Sequence, residues 1–443
     1  MLQLGVMNLH RVGERVSRGR DLDVATQSSG AHDGGHNSMP RATTPSGLLP
    51  GLADLARTIL HTHKLPLYAT NPCVVDAAAN ANLYLIRLTP LTIGCSALPV
   101  ATVLSASYAL NSWSLLARLS NNNSWTILAR VQNSQDARGL LDHHHHHHNE
   151  SNSTSLWVLH NTIPNGAVAT TSGESPPSRM ELLRYSCSDY LCRDNKVKLR
   201  QRTLLRYDAT SPTAAEKNWV PITFTRKRQG GTRHLLVSHT LLPHRVLRCG
   251  SISGVCTLAH ESDSTSVWSA ALNSLGGLVG RQCVTSSSSA SSSSACNASR
   301  GLPYSFPPPR GGTPCVSLFG LHVCLGHLKA RMRGQYKSTY YHFFYALSKQ
   351  PPYRVLNVSY PFRFATLGKQ ALEYTRAALG PSGFTRKLTS FIQEKIQFAS
   401  GLVRRGDKQL MVSWGVADCA GAVRAVNVSL VSEMLAGRRV AQL

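Results

Sequence analysis

Six short apolar runs constrain this chain more than any other feature. They are residues 83–88, 125–131, 156–159, 234–239, 340–346 and 409–414, and each mixes β-branched, aromatic and apolar side chains. Clusters of Pro, Gly, Asn and Ser bound them, which marks each run as a strand between turns. Many short strands at close spacing belong to a sandwich, a barrel or a propeller. Periodicity alone does not choose among the three. Helical spacing is clear only in residues 368–379, where Leu372, Tyr374, Ala377 and Leu379 recur on one side. One further short helix is expected within residues 49–61.

The chain has 443 residues, enough to bury one large core. Residues 1–60 are rich in Gly, Ser, Thr, Arg and His, without sustained periodicity, and are expected to be disordered. The strand-bearing domain spans residues 64–440. Low-complexity inserts interrupt it near 143–155, 173–179 and 284–300. Inserts this polar belong outside the core, where their backbone meets water. The six histidines at 143–148 are read as repeat expansion in a loop, not as a metal site.

The formal net charge is +25. A balance so basic suggests anionic partners. The cations are dispersed, with small clusters only at Arg226-Lys227-Arg228 and Arg404-Arg405, and no zinc-finger spacing accompanies them. A nucleic-acid-associated protein is therefore the third reading here. Eleven cysteines include two close pairs, Cys187 with Cys192 and Cys249 with Cys256. Either pair could close a hairpin as a disulfide, which needs an oxidising compartment, or stay as buried thiols. Asn-X-Ser/Thr sequons stand at Asn122, Asn149, Asn152, Asn297, Asn357 and Asn427. Residues 1–20 show no apolar signal-peptide core, and no apolar run reaches the ~18 residues of a membrane span. Sequons and cysteine pairs suggest the secretory pathway or Golgi; the N-terminus leaves the cytoplasm as the alternative.

Five segments offer chemistry. Asn71-Pro72-Cys73 leads into a strand ending at Arg87, a candidate anion holder. Gln135-Asp136-Ala137-Arg138 puts a carboxylate two residues from a guanidinium, a candidate acid beside an anion clamp. In Lys217-Asn218-Trp219 the indole offers a face for a sugar ring. Lys217 with His244 and Arg245 could cradle phosphate. The run 340–345 reads as an inner strand with one structural histidine, His342. In 396–418, Gly401 and Gly415 fit tight turns or close backbone approach, and Asp418 stands where a loop would open onto a pocket.

Taken in order, these segments resemble the glycoside hydrolase family 130 type of five-bladed β-propeller, which includes mannoside phosphorylases, and the related glycosyltransferase-associated propellers. That family carries an Asn-Pro start, a Glu-Asp-Pro-Arg loop, a Lys-Asp-Trp strand with a following His-Arg, and a late Gly-x-x-Asp. The counterparts are Asn71-Pro72, Gln135-Asp136-Ala137-Arg138, Lys217-Asn218-Trp219 with His244-Arg245, and Gly415-Val416-Ala417-Asp418. The resemblance implies an all-β, five-bladed fold. It implies an inverting glycosyltransferase or glycoside phosphorylase with Asp136 as general acid. Arg87, Arg138, Lys217, Asn218, Trp219, His244, Arg245 and Asp418 would bind sugar or phosphate. A carbohydrate, as sugar phosphate or nucleotide sugar, would be the partner, and no metal or organic cofactor would be needed. Gln135, Ala137 and Asn218 depart from the family pattern, and two of these changes remove carboxylates that would influence the acid. A catalytically inactive glycan-binding propeller is the alternative.

Overall fold

Consecutive residues in the central strands are apolar and buried on both sides, so each strand must be sandwiched between two layers. Leu83, Tyr84, Leu85 and Ile86 show the pattern. Leu83 and Leu85 pack with Leu156, Val158, Leu183 and Tyr185, whereas Tyr84 and Ile86 pack with Leu410, Met411, Val412 and Trp414. Because successive side chains point to opposite faces, one strand serves two interfaces.

The computed structural model describes residues 47–48, 55, 67–77, 81–90, 112–143, 154–162, 179–187, 192, 196–207, 218–225, 233–285, 304–305, 308–332, 339–364, 396–416, 420–440 and 443. A short strand, β1 (Gly47–Leu48), comes first. Blade 1 is β2 (Leu67–Ala77), β3 (Ala81–Pro90), β4 (Trp113–Ser120) and β5 (Trp125–Gln132). Blade 2 is β6 (Ser134–His143), β7 (Thr154–Thr162), β8 (Arg179–Cys187) and β9 (Val197–Leu204). Blade 3 holds β10 (Arg206–Tyr207), β11 (Val220–Thr225), β12 (His234–Leu241), β13 (His244–Gly250) and β14 (Val255–Ser262). Blade 4 holds β15 (Tyr304–Ser305), β16 (Arg310–Gly311), β17 (Val316–Leu318), β18 (Leu321–Met332), β19 (Thr339–Ser348) and β20 (Val355–Val358). Blade 5 is β21 (Gln397–Arg405), β22 (Gln409–Val416) and β23 (Ala420–Asn427), with β1 as its outer strand. Neighbouring strands are antiparallel except for β10, which joins β14 in parallel.

The core closes these five sheets into a ring. Trp157, Leu159 and Leu182 of blade 2 meet Trp219, Leu235 and Val237 of blade 3. Leu236 and Val246 of blade 3 meet Phe343 and Tyr345 of blade 4. Phe344 and Ala346, on the other face of blade 4, join blade 5, which in turn joins blade 1. The all-β, five-bladed propeller expected from the sequence is the observed fold, and all six apolar runs lie within strands.

Other expectations need correcting. Within residues 1–60 the structure describes only β1, which pairs with β23, Gly47 opposite Val423, and Leu55, which is helical and buried in the core. Two helices were not anticipated, α1 (Thr265–Thr285) and α2 (Val428–Leu435). In α1, Trp268, Ala271 and Leu275 are buried at helical spacing within a Ser-rich context that masked the periodicity. The expected helix at 368–379 lies outside the described residues. Both expected cysteine pairs are disulfides, and Cys315–Cys324 is a third that spacing did not suggest. No helix among the described residues is long and apolar enough to cross a membrane.

Candidate active site on the propeller axis

The inner strands share one irregularity. The ladder β2–β3 slips between Thr70 and Cys73, β6–β7 between Gln135 and Arg138, and β21–β22 between Ala399 and Gly401. Each slip is a β-bulge, which bends the strand and re-aims a side chain. Asn71 and Asp136 sit in the first two bulges, with φ of 45° and 48°, and Asn218, just ahead of β11, has φ of 64°. Left-handed backbone costs most residues roughly 1–2 kcal/mol, and Asn and Asp tolerate it best through short polar side chains. Three neighbouring blades thus present an Asn, an Asp and an Asn from equivalent left-handed positions.

Side-chain bonds join these positions across blades. Arg87 Nη1 donates to Asp136 Oδ1 at 3.0 Å, and Asn71 Nδ2 donates to the same oxygen at 3.3 Å. Arg138 sends Nη1 to the Asp136 carbonyl at 3.1 Å, Nη2 to Asn218 Oδ1 at 3.4 Å and Nε to the Gly312 carbonyl at 2.5 Å. Its guanidinium carbon also lies 5.9 Å from the centroid of the Phe398 ring. Ser400 Oγ donates to the Pro72 carbonyl at 2.8 Å. Every blade therefore contributes to one polar ring around the axis.

Arg138 is wholly buried, whereas the Asp136 side chain keeps 16% of its surface exposed. Burial pulls the Arg138 guanidinium below its ordinary value, with the Asp136 charge acting against that pull. Tyr345 lies near Arg138, and burial raises its phenol above the ordinary range despite the guanidinium.

Among the other described acids, several are engaged elsewhere. Glu181 is bound by His160 at 3.0 Å and by Arg202, while Glu261 pairs with Arg245 at 2.8 Å. Asp263 accepts from Thr265, Asp407 pairs with Arg404, and Glu433 pairs with Arg438. Asp76 and Asp142 stand toward the far ends of β2 and β6. Asp136 is the carboxylate that Arg87 and Asn71 both bond.

The structure thus brings together Arg87, Asp136, Arg138 and Asn218. His244 is buried, bonds Ser238 Oγ through Nε2 at 3.1 Å, and is lowered by burial to about 4. Arg245, next in the strand, takes the opposite face and turns to Glu261. Trp219 is 1% exposed and packs edge-on to His239 at 5.3 Å, in the core rather than on the rim. Lys217 and Asp418 lie outside the described residues.

Sequence reasoning did not count Asn71 and Gly415 among the site residues. Both had signals: an Asn-Pro pair leading into a strand, and a glycine read as allowing close backbone approach. A Cβ at Gly415 would stand 1.6 Å from Asn71 Oδ1, so this glycine makes room for the side chain that contacts Asp136.

No protein-family model and no curated protein matches the chain. Among solved structures, it is similar to a glycosyl hydrolase from Bacteroides ovatus, with TM-score 0.45 and 9% identity over 82% of this chain and 85% of that one. It is similar to a GDP-Man-dependent mannosyltransferase from Leishmania mexicana, with TM-score 0.42 and 11% identity over 88% and 98% of the two chains. It is also similar to a β-1,2-mannobiose phosphorylase from Listeria innocua, with TM-score 0.42 and 12% identity over 83% and 92%.

Proposed function

We propose that the chain is a carbohydrate-active enzyme, an inverting glycosyltransferase or glycoside phosphorylase with Asp136 as its general acid. One observation carries this reading: Asp136 stands in a left-handed bulge at the axis, partly open to solvent, with Arg87 and Asn71 on one of its oxygens.

The pairing suggests how the acid is armed. An ionised Asp136 draws on the Arg87 guanidinium. A phosphate or sugar phosphate entering the axis competes for that guanidinium. Two like charges beside one cation repel, and a proton on Asp136 relieves the repulsion. The protonated carboxyl can then donate to the glycosidic oxygen. In phosphorolysis, a phosphate oxygen attacks the anomeric carbon from the face opposite that oxygen. The new carbon–oxygen bond forms as the glycosidic bond breaks, and its electron pair leaves with the protonated oxygen. The product is a sugar 1-phosphate of inverted configuration. Run in reverse, an acceptor hydroxyl attacks, its proton passes to Asp136, and phosphate leaves.

Incubation with a panel of sugar 1-phosphates and nucleotide sugars plus sugar acceptors tests this. A product formed by the native protein and lost, by at least ~100-fold, in Asp136→Asn supports it. No product from any donor sinks it. The glycan-binding alternative draws on the same ion pair, which holds Asp136 as a fixed anion when no ligand competes. Glycan capture retained in Asp136→Asn, without turnover by the native protein, would favour that alternative.

A further inference from the structure

Three described sequons occupy very different surroundings. Asn122 is exposed in the turn between β4 and β5. Ser124 donates to its Oδ1 through both N–H, at 3.2 Å, and Oγ, at 2.7 Å, and Ser120 Oγ bonds the same oxygen. All of these bonds end on the amide oxygen of the exposed asparagine. Asn427 is exposed at the junction of β23 and α2; it makes no side-chain cap bond, and Ser429 beside it is also exposed. Asn357 is different. Its Nδ2 donates to the Leu435 carbonyl at 3.4 Å. The hydroxyl of its partner Ser359 is buried between the Phe344 N–H, at 2.9 Å, and the Tyr360 carbonyl, at 3.1 Å.

A second observation bears on the compartment. Cys187–Cys192, Cys249–Cys256 and Cys315–Cys324 are all bonded, and all six residues are buried. Cys249 and Cys256 stand directly opposite each other in β13 and β14. Local disulfides persist where the surroundings are oxidising and are rare where thiols are kept reduced. A secretory lumen that forms them is also where sequon asparagines are modified.

We infer that Asn122 and Asn427 are N-glycan acceptors and that Asn357 is not. The co-reactant is a lipid-linked oligosaccharide diphosphate. The amide nitrogen attacks the anomeric carbon and an N–C bond forms. The carbon–oxygen bond to diphosphate breaks, its electron pair leaves on the lipid diphosphate, and the amide gives up one proton. At Asn357 the same attack would first break the bond to Leu435 and uncover Ser359.

The test uses the full chain purified from the cells that make it, digested without reduction. Half is treated with peptide-N-glycosidase in heavy-oxygen water. The expected result is heavy-oxygen Asp at positions 122 and 427, an unchanged Asn357 peptide, and intact Cys187–Cys192, Cys249–Cys256 and Cys315–Cys324 bonds. Ser124→Ala and Ser429→Ala, expressed in the same cells, should each remove one step of gel mobility, whereas Ser359→Ala, whether or not it folds fully, should remove none. Unmodified Asn122 and Asn427 would overturn the inference, and so would equal occupancy of Asn357.

Discussion

Asn71 Oδ1 occupies the space that a side chain on residue 415 would fill, 1.6 Å from where its Cβ would stand. Two ends of the ring of blades meet there, and the asparagine so placed donates to Asp136. Gly415→Ala is therefore expected to push Asn71 off the carboxylate. Overpacking of this kind costs roughly 1–3 kcal/mol, so the fold should survive. Activity on whichever donor the panel identifies should fall at least as steeply as stability. Denaturant midpoint and turnover measured on one preparation check this; full activity with Ala at 415 would contradict it.

Arg138 is buried and sends bonds into blades 2, 3 and 4. Removing one member of a buried charge network strands its partners, at a cost of roughly 3–5 kcal/mol. Arg138→Met should therefore destabilise strongly, and Arg138→Lys should recover only part of the loss, since an ammonium cannot reproduce the planar fork. Urea unfolding of the two variants beside the native chain reads both effects. Arg87→Gln, which leaves Asp136 as a carboxylate partly exposed to water, should cost less.

Burial holds His244, His327 and His342 neutral. His244 is lowered to about 4 and His342, near Arg363, to about 3, from an ordinary 6.5. The unfolded chain takes up these protons as pH falls below about 6.5, and the folded chain refuses them until about 4 and 3. Stability is therefore full above 6.5, declines as pH falls through that window, and levels off below it. The His244 contribution is on the order of 3 kcal/mol. Unfolding midpoints at pH 7.5, 6 and 4.5 should fall in that order. His342→Phe, packed against Phe362 and Phe364, should flatten the decline.

The blades were legible because their strands are buried on both faces, and that double burial writes uninterrupted apolar runs such as 83–88 into the sequence. Asp136 and Arg87 were legible as chemistry because both types stand in strand-and-turn contexts suited to an anion. Their direct bond was not, because it joins residues on different blades whose proximity exists only once the ring has formed. Trp219 illustrates the opposite limit. An indole beside a polar cluster reads equally as a sugar platform or as core, and only its contact with His239 decides. The bulges escaped notice for a related reason: a slip of register lies between strands, not within either sequence.

The pairing of β1 with β23 has a consequence for the order of events as the chain is made. Gly47 and Leu48 precede every blade in the chain, and their partners Val423 and Ala422 belong to the last strand of the fifth. Four blades can be produced while these residues wait, but the circle cannot be sealed until β23 has been synthesised. Contacts so distant along the chain form slowly. A nascent chain halted before β23 would hold an open arc with apolar blade faces bare, and β23 acts as the latch that closes it.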